Sequence, residues 1–158
     1  MTRRRSGSYV AQGIPKINAE IAKKPRFYQG GNDMTETYYS KEHEWVKVKD
    51  GIACIGITDY AANQLGDITY VELPRIGKSV KQFGELCSIE SVKAASDIFA
   101  PVSGKVVKVN EALEETPEIV NESAEDAGGI AWIEMADIKE LGNLMNRQEY
   151  DDYLRGLE

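Results

Sequence analysis

Ser88-Ile89-Glu90-Ser91-Val92-Lys93-Ala94-Ala95-Ser96-Asp97 separates two apolar strand segments with one lysine and two alanines. Apolar residues stop at Val92, small residues follow Lys93, and strand text resumes at Ile98. This pattern predicts a hairpin with a lysine at its tip. A protruding tip exposes its side chain to a modifying enzyme and leaves it free reach afterwards. On position alone, the plainer reading of Lys93 is a solvated surface lysine.

Outward from the hairpin, Pro74-Arg75-Ile76-Gly77-Lys78 and Pro101-Val102-Ser103-Gly104-Lys105 share the pattern Pro-x-x-Gly-Lys. Each proline follows an apolar strand end and each Gly-Lys opens the next strand. Two matching halves of a small β-barrel or sandwich are expected, since two copies are too few for a solenoid. Val46 and Val48 alternate with Lys47 and Lys49, Asp50-Gly51 supplies a hairpin turn, and Ile52–Ile57 returns. Thr58 as N-cap and Gly66 as stop bracket a short helix near 58–65. Further strands are expected at Thr69–Leu73, Glu85–Ser91, Asp97–Ala100, Lys105–Val109 and Ile130–Glu134. Thr116-Pro117 offers a cap and a first-turn proline for a brief helix through Val120. Ile138, Leu141, Leu144/Met145, Tyr150, Tyr153 and Leu154 give the tail helical spacing. The expected class is mainly β.

Composition narrows the function. The 158 residues carry a formal charge of −7, but unevenly. Residues 1–33 contribute +5 and residues 34–158 contribute −12. A body this acidic repels phosphate backbones, so no nucleic-acid partner is expected. No apolar run reaches the ~20 residues of a membrane helix, so no membrane partner is expected either. His43 is the only histidine, and Cys54 and Cys87 lie far apart, so no metal ligand set is expected. Both cysteines sit in apolar strand text and read as buried small hydrophobes, with Trp45 and Trp132 as core anchors. The acidic stretch Glu111–Asp126 reads as solvated surface that could steer docking onto basic partners. With no nucleophile–base pair or phosphate loop, a non-catalytic protein is expected.

The division expected is a basic leader over 1–33 and a folded domain over 34–158. The leader is Arg-rich and acid-poor, which suits a mitochondrial transit peptide and equally an added or upstream extension. Met34 opens the acidic domain at once, so a bacterial cytoplasmic protein with an upstream extension is expected. The mitochondrial matrix is the alternative.

Glu90-Ser91-Val92-Lys93-Ala94, with Ser96-Asp97 and Ala100-Pro101-Val102-Ser103-Gly104 behind it, resembles the lipoyl attachment segment of glycine cleavage system H proteins. His43-Glu44-Trp45, Gly56-Ile57-Thr58-Asp59-Tyr60-Ala61, Leu65-Gly66-Asp67-Ile68, Val71-Glu72-Leu73-Pro74 and Thr116-Pro117-Glu118-Ile119-Val120-Asn121 follow in the same family order. The resemblance covers about 35–158. It implies a lipoyl/biotinyl-type barrel-sandwich hybrid with a short helix near the start and C-terminal helices.

It also implies (R)-lipoate in amide linkage to Lys93, with Glu90, Val92 and Ala94 recognised by the lipoate ligase or lipoyl/octanoyl transferase that attaches it. The role implied is a carrier. It would take an aminomethyl group from a pyridoxal-phosphate glycine decarboxylase (P protein) to a tetrahydrofolate-dependent aminomethyltransferase (T protein). Its dithiol would then go to a flavin dihydrolipoyl dehydrogenase (L protein). Glu44 and Asp97, with Glu42 where some members have a small hydroxyl residue, match the cleft that guards the loaded arm. A carboxylate beside a primary ammonium stabilises its charged form. Read plainly, Glu44 is a strand-end charge and Asp97 a turn residue. A monomer is expected.

One departure is Gly128-Gly129-Ile130-Ala131-Trp132, where the family often has Gly-Trp directly. Three rival classes share parts of the pattern. A biotin carrier resembles Met-Lys-Met at the tip, and a 2-oxo acid dehydrogenase lipoyl domain resembles Asp-Lys-Ala ahead of a large acyltransferase. A lipoyl-relay protein, which donates lipoyl groups to other enzymes, has the same motifs and stays open as the alternative.

Overall fold

A computed structural model describes residues 36–157. The leader expected over 1–33 lies outside the described residues. Those described divide into two units, one holding Lys47–Ala53 and Glu36, the other Thr37–Val46 and the chain from Cys54 onward. Lys47–Ala53 is a hairpin tip. Asp50 (φ +53°) and Gly51 (φ +80°) both take the left-handed conformation that a two-residue turn of this hand requires.

The strands are β1 (Thr37–Tyr39), β2 (Glu44–Lys49), β3 (Ile52–Ile57), β4 (Ile68–Glu72), β5 (Ser79–Val80), β6 (Glu85–Ser91), β7 (Ala95–Phe99), β8 (Gly104–Val109) and β9 (Ala131–Met135). The helices are α1 (Asp59–Leu65), α2 (Ala112–Glu115), α3 (Ile119–Glu122) and α4 (Arg147–Leu157), with a 3-10 turn at Ile138–Asn143. One sheet runs β1-β2-β3-β9-β8-β5 and a second runs β4-β6-β7. The β4–β6, β6–β7, β5–β8 and β8–β9 pairs are all antiparallel.

The two Pro-x-x-Gly-Lys units face each other. β5 and β8 pair through Ser79↔Lys105 and Val80↔Gly104. The bonds Gly77 N–H to Val106 O (2.7 Å) and Val106 N–H to Lys78 O (2.9 Å) extend the pairing. The two copies of the pattern thus meet in one sheet.

The core gathers Ile55, Leu86, Ile89, Ile98, Leu113, Ile130 and Ile133, all fully buried. Side chains of this size contribute about 1.5–3 kcal/mol each on burial. Trp45 is a core anchor as expected, and its indole N–H donates to Ala124 O at 3.0 Å. Trp132 departs from expectation. It is half-buried on β9, with the Lys108 ammonium 4.8 Å above its ring, because its strand presents that face to solvent. Cys87 is buried as expected, whereas Cys54 is only partly so. The Gly128-Gly129 pair has a packing reason: a Cβ on Gly129 would lie 2.9 Å from Cys54 Sγ, and one on Gly128 2.8 Å from Ser123 O.

The α1 caps are those the sequence predicts. Thr58 Oγ1 accepts from Ala61 N–H at 3.2 Å, and Gly66 (φ +80°) closes the helix. The brief helix expected behind Thr116-Pro117 forms as α3, led in by bonds from Ile119 N–H to Thr116 O (3.2 Å) and Val120 N–H to Pro117 O (3.0 Å), but it has no side-chain cap bond. Thr116 also ends α2, which lies inside the acidic stretch read as surface. The tail is not one continuous helix. Met145 exchanges two backbone bonds of 2.8 Å with Tyr39 between the 3-10 turn and α4, and that bridge interrupts the helical run.

Candidate functional site: a lysine on a braced hairpin

β6 and β7 pair through Ser88↔Asp97, Ile89↔Ser96 and Glu90↔Ala95. Beyond them Ser91 N–H donates to Ala94 O at 2.8 Å, leaving Val92 and Lys93 as the two tip residues. The Ser91 hydroxyl oxygen sits inside the turn and accepts from the N–H groups of Lys93 and Ala94, each at 3.2 Å. A serine at this position closes such a turn through its own side chain. Glu90, Lys93, Ala94 and Ala95 are all exposed, and Val92 is 66% exposed.

The tip is braced from one side. Val92 N–H donates to Asp67 O at 3.0 Å. The Lys93 stem lies along Gly66, where a Cβ would come within 3.4 Å of Lys93 Cε. The shelf 66–68 is held in turn by Asn121 of α3. Its Oδ1 accepts from Ile68 N–H at 2.8 Å and its Nδ2 donates to Gly66 O at 2.9 Å. Sequence reading missed the Asn121 contacts, although Asn121 closes one of the quoted motifs.

The three acidic positions occupy different environments. Asp97 is exposed on β7 opposite Ser88, whose hydroxyl donates to Glu72 Oε1 at 2.8 Å. Glu42 is exposed in the β1–β2 turn. Glu44 is only 2% exposed. Ser40 Oγ donates to its Oε1, and Phe99 N–H donates to its Oε2 at 3.1 Å. Burial pushes the Glu44 carboxyl up to about 7; the bonds from Ser40 and Phe99 oppose that rise and the Glu42 charge adds to it. Glu44 thus bonds β7 two residues from Asp97. Nothing in the sequence around Ser40 marks it as the hydroxyl that meets this carboxyl.

His43 takes a left-handed conformation (φ +73°), with Nδ1 2.9 Å from Tyr150 Oη and its ring tilted against Tyr60. Among the described residues no group of histidine, cysteine and carboxylate side chains could hold a metal ion. None of the described helices is long and apolar enough to cross a membrane. A shallow groove lined by Ile76, Val107 and Trp132 shares no residue with the lysine hairpin.

An antiparallel barrel-sandwich that lifts one lysine on a two-residue tip defines a class of protein: the carrier domains that hold a lipoyl or biotinyl arm. Comparison with known proteins narrows the class. The sequence model of a family described as "Glycine cleavage H-protein" matches residues 37–156. A glycine cleavage system H protein of Beijerinckia indica is 52% identical over 124 residues, which span 78% of this chain and all of that one. Glycine cleavage system H protein 4 of Aquifex aeolicus is 53% identical over 120 residues, 76% of this chain and 70% of that one. The crystal structure of a glycine cleavage system H protein from Mycobacterium marinum superposes with a TM-score of 0.70 at 30% identity, covering 77% of this chain and 98% of that one. The chain belongs to the glycine cleavage H-protein family, the lipoyl carriers of the glycine cleavage system.

Proposed function

We propose that Lys93 is the residue of this chain that bears lipoate, in amide linkage through Nζ. The observation that carries the reading is the exposed, internally closed tip with the lysine stem seated on Gly66. The residues around it fit a long acyl arm, since Ala94 and Ala95 leave the approach to Nζ clear and Gly66, held at φ +80°, packs beneath the stem. Attachment by a ligase joins the lipoate carboxyl to Nζ, with ATP cleaved to AMP and pyrophosphate and protons released. Glu90, Val92 and Ala94, exposed around the tip, are the side chains the attaching enzyme reads.

When attached, the group would supply a disulfide able to take up an aminomethyl group with its electron pair, and would stay on Lys93 as a dithiol once that group had been passed on. The chain's own part is presentation. Tethering at Lys93 gives the arm a high local concentration in any enzyme the carrier docks on. The enzymes proposed are the pyridoxal-phosphate glycine decarboxylase, the tetrahydrofolate-dependent aminomethyltransferase and the flavin dihydrolipoyl dehydrogenase. Glu44, Asp97 and Glu42 are the carboxylates proposed to hold the carried ammonium in its charged form, Asp97 and Glu42 from the surface and Glu44 from its buried site. Cys54 and Cys87 are not in a disulfide, which suits a reducing cytoplasm.

The test uses lipoylated chain, glycine decarboxylase and carboxyl-labelled glycine. Label is expected to leave as CO2 while the Lys93 peptide gains one aminomethyl group. No label release, together with passage of the lipoyl group to a second acceptor enzyme, would replace this reading with a lipoyl relay.

A further inference from the structure

We propose that Asn121 is a positioning residue for Lys93, acting through the 66–68 shelf. The inference rests on the reading of Lys93 as the acylated lysine.

The shelf receives the hairpin twice. Asp67 O takes the Val92 N–H, fixing the backbone of the tip. Gly66 takes the Lys93 stem, with a Cβ-to-Cδ separation of 3.7 Å and a Cβ-to-Cε separation of 3.4 Å for any added methyl. Gly66 caps α1, which ends at Leu65, and β4 starts at Ile68, so Gly66 and Asp67 are the two residues between the regular elements. One side chain spans Asp67. Asn121 accepts from the residue after Asp67 and donates to the residue before it, at 2.8 and 2.9 Å. An amide that satisfies a backbone donor and a backbone acceptor two residues apart fixes the peptide planes between them, and those planes aim Asp67 O at Val92. Asn121 therefore lies one step behind the tip, about thirty residues on in sequence, and holds it without touching Lys93.

An ordered tip spares the attaching enzyme the entropy of ordering it on binding. Loss of the clamp should therefore appear in KM for the carrier and leave kcat little changed, the signature of lost uniform binding. With two hydrogen bonds removed, the rise in KM is roughly tenfold.

The test compares full chains as substrates of a lipoate ligase at saturating lipoate and ATP. Asn121→Ala is expected to raise KM for the carrier roughly tenfold with kcat within about twofold, and to speed hydrogen exchange at the Val92 amide. The Ala100 amide, bonded to Gly84 O at 2.8 Å, is the internal reference and should stay slow. Asn110→Ala is the matched control. Its Nδ2 also bridges two carbonyls, Ala127 O at 3.0 Å and Gly129 O at 2.7 Å, but in the segment that leads into β9 rather than on the 66–68 shelf. It should lower stability and leave KM unchanged. Equal KM values for Asn121→Ala and wild type, or an equal rise in Asn110→Ala, would overturn the inference while leaving the carrier reading intact. A wild-type chain that takes no lipoate at all would overturn both.

Discussion

Glu44 makes stability depend on pH in a direction opposite to that of a paired surface acid. Its carboxyl is moved from 4.5 to about 7, chiefly because burial disfavours the charge. That displacement corresponds to roughly 3 kcal/mol between the protonated and ionised forms. The folded chain holds the proton more tightly than the unfolded chain. The contribution is therefore complete below about 4.5 and is lost as pH rises through about 7. Glu44→Gln cannot ionise and keeps both partners: Oε1 accepts from Phe99 N–H, and Nε2 donates to Ser40 Oγ, which already accepts from the residue-44 N–H at 3.1 Å. Urea unfolding of wild type and Glu44→Gln should coincide near pH 4. At pH 8 the variant should be more stable by roughly 3 kcal/mol, or about 10 °C in Tm. Taking the difference between the two proteins removes the distant carboxyls they share. A difference that is flat from pH 4 to 8, or that favours wild type increasingly with pH, would refute the reasoning. It would show that the pocket accepts the charged carboxylate.

Two substitutions test the packing around the site. Gly56→Ala places a methyl 2.6 Å from Trp45 Cζ2, and the ring is tied to Ala124 O, so chemical denaturation should show a loss of roughly 1–3 kcal/mol; unchanged stability would mean that the indole can move. Tyr150→Phe removes the hydroxyl lying 2.8 Å from Thr58 Oγ1 and 2.9 Å from His43 Nδ1, which should cost roughly 1–2 kcal/mol by the same assay. A loss below a few tenths would mean that water replaces the phenol.

What the sequence revealed, it revealed through strong local signals. Thr58 and Gly66 mark α1 because a hydroxyl cap and a left-handed glycine each have few other uses at those spacings. The lysine tip was legible because small residues interrupt two apolar strands. The Pro-x-x-Gly-Lys repeat was visible, but only the structure shows its two copies paired along β5 and β8. β1 and β5, with three and two residues, are too short to display an alternation. α2 hid among glutamates whose charge masked the one buried position, Leu113. Glu44 was the hardest to read. A glutamate before a core tryptophan looks like a strand-end charge, and its burial depends on Ser40 and on Phe99, 55 residues away in sequence. Long-range partnerships of that kind leave no periodic trace.

Intact mass with peptide mapping, after co-expression with a lipoate ligase and supplied lipoate, tests the central claim most directly. One lipoyl group is predicted on the Lys93 peptide of the wild type and none on Lys93→Arg. A wild-type chain left unmodified under conditions that load a known carrier, or a lipoyl group on another lysine, would contradict it.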